Sequence, residues 1–283
     1  GPDRAGRAGV ARRAGPGRDR GRIPALGPDG ETAAMKKRLE RLHSPQLGRA
    51  ISLWSYGHWG QPVLAFPTAA GFAHEWESQG MVEALSPWLD AGKIKLYCPE
   101  SNVAEAWTQR DHDPAWRIQR HAAYERFVVE TLVPRVREDC GGQPLPLAAA
   151  GASLGAFYAA NLALKHPEIF RWALCMSGRY AMTHFTDGFS NLDVYLNNPL
   201  AFVANLAGES LERVRRGTHL VLVCGQGAYE EGCIEETQAL AELCRKQGIP
   251  HQRDLWGHDV SHNWVWWKRQ ARHHFGQRFG AAA

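Results

Sequence analysis

Four segments of this 283-residue chain carry groups suited to attacking a carbonyl and moving the protons involved. The first is Gly151-Ala152-Ser153-Leu154-Gly155, preceded by the apolar run Leu145 to Ala150 and followed by Ala156 to Leu164, which reads as a helix. A serine on a tight strand-to-helix turn between two glycines is held in a strained conformation, its hydroxyl exposed and a helix N-terminus behind it. Ser153 is therefore a candidate nucleophile. Taken alone, the five residues also describe an ordinary Gly-Ser turn, so the weight falls on partners further along the chain.

A serine nucleophile needs a general base, then a carboxylate to orient that base. Trp256-Gly257-His258-Asp259-Val260-Ser261-His262-Asn263-Trp264 offers two histidines between a strand and the final helix. His262 is preferred over His258 because it directly precedes the aromatic helix start, whose bulk can fix an imidazole. A protonated imidazole accepts nothing, so turnover is expected to fall in mildly acid solution. Trp264, Trp266 and Trp267 read first as core, since aromatic side chains mostly bury area. The carboxylate must lie between Ser153 and His262 in the chain. Val223 to Glu231 ends a strand and supplies Glu230 and Glu231, only one of which can point inward. Glu230 is the first choice, Glu231 the second, and Asp254 or Asp259 remain open. The other glutamate, with Glu235 and Glu236, is expected to form a solvated cluster at a helix start. Phe66-Pro67-Thr68-Ala69-Ala70-Gly71-Phe72 follows an early strand with small residues. Its amides, Ala69 foremost, together with the N–H of Leu154, are expected to hold a developing oxyanion.

Positioning these groups requires strands that end at a common edge. Ala50–Trp54, Pro62–Phe66, Lys93–Cys98, Leu147–Ala152, Trp172–Ser177, His219–Cys224 and Gln252–Leu255 read as strands. Helical patterns occupy Glu75–Leu89, Ala115–Glu138 (with a bend at Pro134), Gly155–Lys165, Ile234–Gln247 and Trp264–Phe275. Strands separated by such helices predict an α/β fold with a mainly parallel central sheet and helices on both faces. Gly178 to Thr218 is longer than a simple crossover and carries Tyr180, Met182, Phe185, Phe189, Tyr195 and Phe202. This insert either walls an apolar substrate pocket, with Trp76 and Trp107 as further candidates, or forms a small core of its own.

Taken together, the residues resemble the esterase D-like branch of the α/β-hydrolases, which includes S-formylglutathione hydrolases, feruloyl esterases and mycolyltransferases. The resemblance runs from about Ser52 onward. It rests on Gly151–Gly155, Tyr195-Leu196-Asn197-Asn198-Pro199, Cys224-Gly225-Gln226-Gly227, and His262-Asn263-Trp264 followed by Trp267. It implies an α/β-hydrolase fold, Ser153 as nucleophile, His262 as base and a carboxylate after a strand. Aligned without gaps to the mycolyltransferases, the acid falls on Glu231; bacterial esterases of the branch point to Glu230. Asn263 stands where the family commonly has Asp. The Cys-bearing loop of the S-formylglutathione hydrolases is replaced by Pro67-Thr68-Ala69-Ala70, which argues against that substrate.

Composition bounds the rest. Residues 1–34 hold seven arginines against Asp3, Asp19, Asp29 and Glu31, so they carry a net +3 of the chain's +4. The basic balance thus belongs to a Gly/Arg/Pro-rich extension with the composition of disorder, and residues 35–283 form one domain with an insert around 178–218. The extension reads as a leader or upstream remnant before Met35 rather than a nucleic-acid arm, and its removal is expected to leave turnover intact. No stretch approaches the roughly 20 apolar residues of a membrane span. The six cysteines form no C-x-x-C pair and no metal-ligand spacing, so neither a metal nor an organic cofactor is expected. Free thiols in a reducing, cytoplasmic setting are expected, with a Cys224–Cys233 bridge the one open pairing. The expectation is a serine carboxylesterase acting on a small-molecule ester, with no nucleic-acid or membrane partner. An acyltransferase with the same triad, and a non-catalytic binding protein on the same fold, are the alternatives.

Overall fold

The computed structural model describes residues 36–281, and the expectation for residues 1–34 lies outside them. Eight strands form one sheet in the order β1-β2-β4-β3-β5-β6-β7-β8. They are β1 (Lys37–Ser44), β2 (Arg49–Tyr56), β3 (Gln61–Phe66), β4 (Ile94–Pro99), β5 (Leu147–Ala152), β6 (Phe170–Met176), β7 (Leu220–Cys224) and β8 (His251–Leu255). From β4 to β8 every pairing is parallel, whereas β1–β2 and β2–β4 are antiparallel. The sheet is therefore mixed at one edge. Its first strand is absent from the expected set because KRLERLHS is largely charged and mostly exposed. That composition suits an edge strand, where charge blocks further pairing.

The helices are α1 (Glu75–Ser78), α2 (Met81–Ala84), α3 (Ser86–Asp90), α4 (Pro114–Phe127), α5 (Val133–Asp139), α6 (Leu154–Lys165), α7 (Leu192–Leu196), α8 (Pro199–Phe202), α9 (Gly208–Gly217), α10 (Cys233–Gln247) and α11 (Trp264–Phe279). The single helix expected over Glu75–Leu89 is three short ones. Gly80 adopts φ 76° ahead of α2, and Pro87, which has no N–H to donate, opens α3. A π turn at Val128–Leu132 joins α4 to α5. Strand side chains alternate between two cores, as the pleat requires. Leu64, Phe66, Ala149, Cys175 and Leu222 face one core, which takes in α4, α6 and α10. Val63, Ala65, Ala150, Met176 and Val223 face the other, with α2, α3 and α11.

In register, Phe66 pairs with Gly151, Gly151 with Cys175, Met176 with Val223 and Cys224 with Leu255. The carboxyl ends of β3, β5, β6, β7 and β8 therefore line up along one rim, where parallel α/β sheets carry their chemistry.

The insert after β6 spends its apolar residues on the core. Tyr180, Met182 and Phe202 are buried there, and Phe185, Phe189 and Tyr195 pack against the same cluster. Trp76 and Trp107 are buried as well. Glu236 is also not in the expected solvated cluster. It is buried, taking hydrogen bonds from Arg179 Nε and from the amides of Tyr180 and Ala181, and so ties the start of the insert to α10.

Candidate active site

Each site residue follows a strand end on the common rim. Ser153 links β5 to α6 at φ 55°, ψ −125°, a region that non-glycine residues rarely occupy. The flanking glycines are required by contact. A Cβ on Gly151 would lie 2.1 Å from the Gly155 carbonyl oxygen, and one on Gly155 would lie 2.5 Å from that of Phe66. The start of α6 thus sits directly on the β5 turn and on the end of β3. Gly151→Ala or Gly155→Ala is expected to destabilise the fold by about 1–3 kcal/mol, the usual cost of overpacking. Thermal melts check this, and an unchanged melting temperature would contradict the close approach.

The Ser153 hydroxyl is 3.0 Å from His262 Nε2, and His262 Nδ1 is 3.0 Å from Glu230 Oε2. The chain's first-choice residues are brought into one line. Their alternatives are elsewhere: His258, Glu231 and Asp259 are exposed, and Asp254 accepts from Trp256 Nε1 and from His274 Nε2. An imidazole with a hydroxyl on one nitrogen and a buried carboxylate on the other can take up the hydroxyl proton and return it.

The loops that carry these groups interlock. The His262 amide donates to the Ala228 carbonyl at 3.0 Å, and that of Gly227 donates to Val260 at 2.9 Å. A Cβ on Gly225 would lie 2.1 Å from the Val260 oxygen, which explains the glycines of Cys224-Gly225-Gln226-Gly227. Asn263 caps α11, its side chain accepting from the amides of Val265 and Trp266. An Asp at this position would cap equally well, so the exchange leaves the placement of His262 unaffected.

Glu230 is fully buried and its carboxylate is fully engaged. Ser177 Oγ donates to Oε1 at 2.7 Å and the Gly225 amide at 3.3 Å, while Cys224 Sγ approaches Oε2 at 3.5 Å. Ser177, at φ 50°, accepts in turn from Trp267 Nε1 at 3.0 Å. The Trp267 ring also meets the His262 ring edge-on, with centroids 4.8 Å apart. Trp267 is therefore core, as expected, and also holds two of the site groups. Ser177 carried no sequence signal, because a serine ending a strand is common. Ser177→Ala is expected to lower kcat roughly tenfold, the worth of one hydrogen bond to a charged group, with KM little changed. Steady-state kinetics test this, and an unaltered kcat would show Glu230 to be held without it.

The loop after β3 has its own anchor. Glu75, almost completely buried, accepts from the Thr68 amide at 2.7 Å and from Thr68 Oγ1 at 2.6 Å. This fixes the backbone on which Ala69 stands. Among the described residues, the amides of Ala69 and Leu154 donate to no other group. Glu75 was expected only as a helix residue; its role depends on a fold-back across seven positions that no periodicity reveals.

All six thiols are free, so Cys224 and Cys233 are not bridged. Burial, reinforced by the Glu230 charge, pushes the Cys233 thiol up to about 12 and Cys224 higher still, which keeps both protonated. Phe72 and Tyr229 are exposed on the site loops at 59 and 82 %, and Val265 is exposed at 56 % in the first turn of α11. Tyr229 is held at φ 66°, an unusual conformation for a bulky residue.

The sequence profile of the family described as "Putative esterase" matches residues 65–275. The chain belongs to this esterase family. Ester hydrolysis on an α/β-hydrolase scaffold is its reaction class. Solved structures share the fold of this esterase at low identity. A ferulic acid esterase aligns at 17% identity and TM-score 0.67, covering 87% of this chain and 96% of its own. MPT51 of Mycobacterium tuberculosis aligns at 18% and 0.66, covering 88% and 100%. The S-formylglutathione hydrolase of Staphylococcus aureus aligns at 12% and 0.66, covering 87% and 99%. No curated protein matches the esterase in sequence. Among its described residues, no helix is long and apolar enough to cross a membrane.

Proposed function

We propose that this esterase is a serine carboxylesterase working through an acyl-enzyme, with Ser153 as nucleophile, His262 as base and Glu230 as the acid that orients it. The observation that carries this reading is the continuous hydrogen-bonded line from Ser153 Oγ through both nitrogens of His262 to buried Glu230. Ser153 Oγ attacks the ester carbonyl as His262 Nε2 takes its proton. Glu230, accepting from Nδ1–H, holds the tautomer whose lone pair faces Ser153 and stabilises the imidazolium. The amides of Leu154 and Ala69 receive the oxyanion. His262 then protonates the leaving alkoxide, and water, activated by the same imidazole, releases the acid. Every step uses groups of this chain.

Phe72 and Tyr229, exposed on the loops bearing the site groups, and Val265, exposed at the start of α11, support a small-molecule ester with apolar parts as substrate. The free thiols support a reducing, cytoplasmic setting. A fluorophosphonate probe followed by peptide mapping, together with nitrophenyl esters from acetate to palmitate, tests the assignment. Covalent labelling at Ser153 and hydrolysis of at least the short esters are expected. Labelling elsewhere, or none, would remove Ser153 from its role, and transfer to an added alcohol in preference to water would make the chain an acyltransferase.

A further inference from the structure

Behind His262, on the side away from Ser153, two thiols crowd the carboxylate. Cys233 Sγ lies 4.0 Å from His262 Nδ1, and Cys224 Sγ lies 3.5 Å from Glu230 Oε2. Ligand atoms of Glu230, Cys233 and His262 all fall within 4.8 Å of one another. Around a tetrahedral zinc, with bonds of about 2.0–2.3 Å, such atoms stand roughly 3.5 Å apart. The three groups are thus near a zinc geometry, with Cys224 as a nearby fourth. Thiolate and imidazole are ligands that zinc and softer divalent cations favour, and zinc also accepts a carboxylate oxygen.

We infer that Cys233, Glu230 and His262 form an inhibitory site for a soft divalent cation, zinc or cadmium, a conclusion whose inhibitory part rests on the proposed role of His262. Charge favours it: one thiolate and one carboxylate neutralise a dication in a place where an unpaired charge is costly. Entry is from the imidazole side, since the His262 side chain is 19% exposed while Glu230 is fully enclosed. On binding, the Cys233 S–H bond breaks, a metal–sulfur bond forms and the proton passes to solvent. The metal takes the Nδ1 lone pair, and the imidazole proton moves to Nε2. That N–H then faces Ser153 Oγ and can no longer accept its proton. The metal therefore stops the relay without touching the serine.

The test uses the full chain titrated with cadmium, reading the ultraviolet thiolate-to-cadmium absorption band and nitrophenyl acetate turnover together. One equivalent is expected to produce the band and abolish turnover, with EDTA reversing both. C233S, with C233A as a second variant and circular dichroism to confirm folding of each, is expected to keep turnover and lose both the band and the inhibition. A band and inhibition that persist in these variants, or their absence from the unaltered chain under excess cadmium, would overturn the site. If the chain hydrolyses no ester, the band and its loss in the variants still decide whether cadmium binds, so the site and the proposed function fail separately.

Discussion

Ser153→Ala is expected to abolish ester turnover and leave the fold standing. The Ser153 hydroxyl is the atom that would form the acyl bond, and its partner is His262 Nε2. Removing the nucleophile of such a relay costs on the order of 10⁶ in kcat, leaving the catalysis due to the oxyanion donors and binding alone. Stability should be nearly unchanged, because the side chain does not cap α6 and alanine meets the same backbone φ of 55° that serine already bears. The measurement pairs nitrophenyl acetate kinetics with a thermal melt. Turnover within about tenfold of the parent would show that another group attacks the ester.

Glu230→Gln should be nearly as damaging, for a reason set by the surroundings of the carboxylate. Oε1 faces two donors, Ser177 Oγ and the Gly225 amide. An amide placed there must keep its oxygen on that side and turn its NH₂ toward His262 Nδ1. That nitrogen then has to accept, so the imidazole proton sits on Nε2, pointing at Ser153. An isosteric change that imposes the wrong tautomer costs about 10⁴ in kcat. KM should be little affected, since Glu230 is fully buried. A loss under about tenfold would mean that Glu230 serves packing rather than the imidazole.

What could be read from the chain is what depends on local pattern. Gly151–Gly155 marks a turn by contact needs that only glycine meets, and His262 before an aromatic helix start marks a loop that must return to the rim. The strands from β3 to β7 are apolar enough to stand out. What stayed hidden depends on contacts between distant segments. β1 looks like any charged stretch until β2 pairs with it. Gly80 and Pro87 interrupt a helical pattern whose apolar spacing alone predicts continuity. Ser177 and Glu75 are ordinary residues until the sheet register brings one to Glu230 and the loop fold-back brings the other to Thr68. Between Glu230 and Glu231 the sequence offers a ranking, and only the direction of the backbone at the end of β7 distinguishes a buried carboxylate from an exposed one.

Ser153 and His262 are 109 positions apart in the chain, and they meet because the four parallel strands β5 to β8 end along one rim. Parallel pairings across such separations form slowly, after the cost of closing long loops has been met. Recovery of catalytic competence during refolding should therefore lag behind the return of helical ellipticity, which makes a fluorogenic ester a clock for the last stage of sheet assembly.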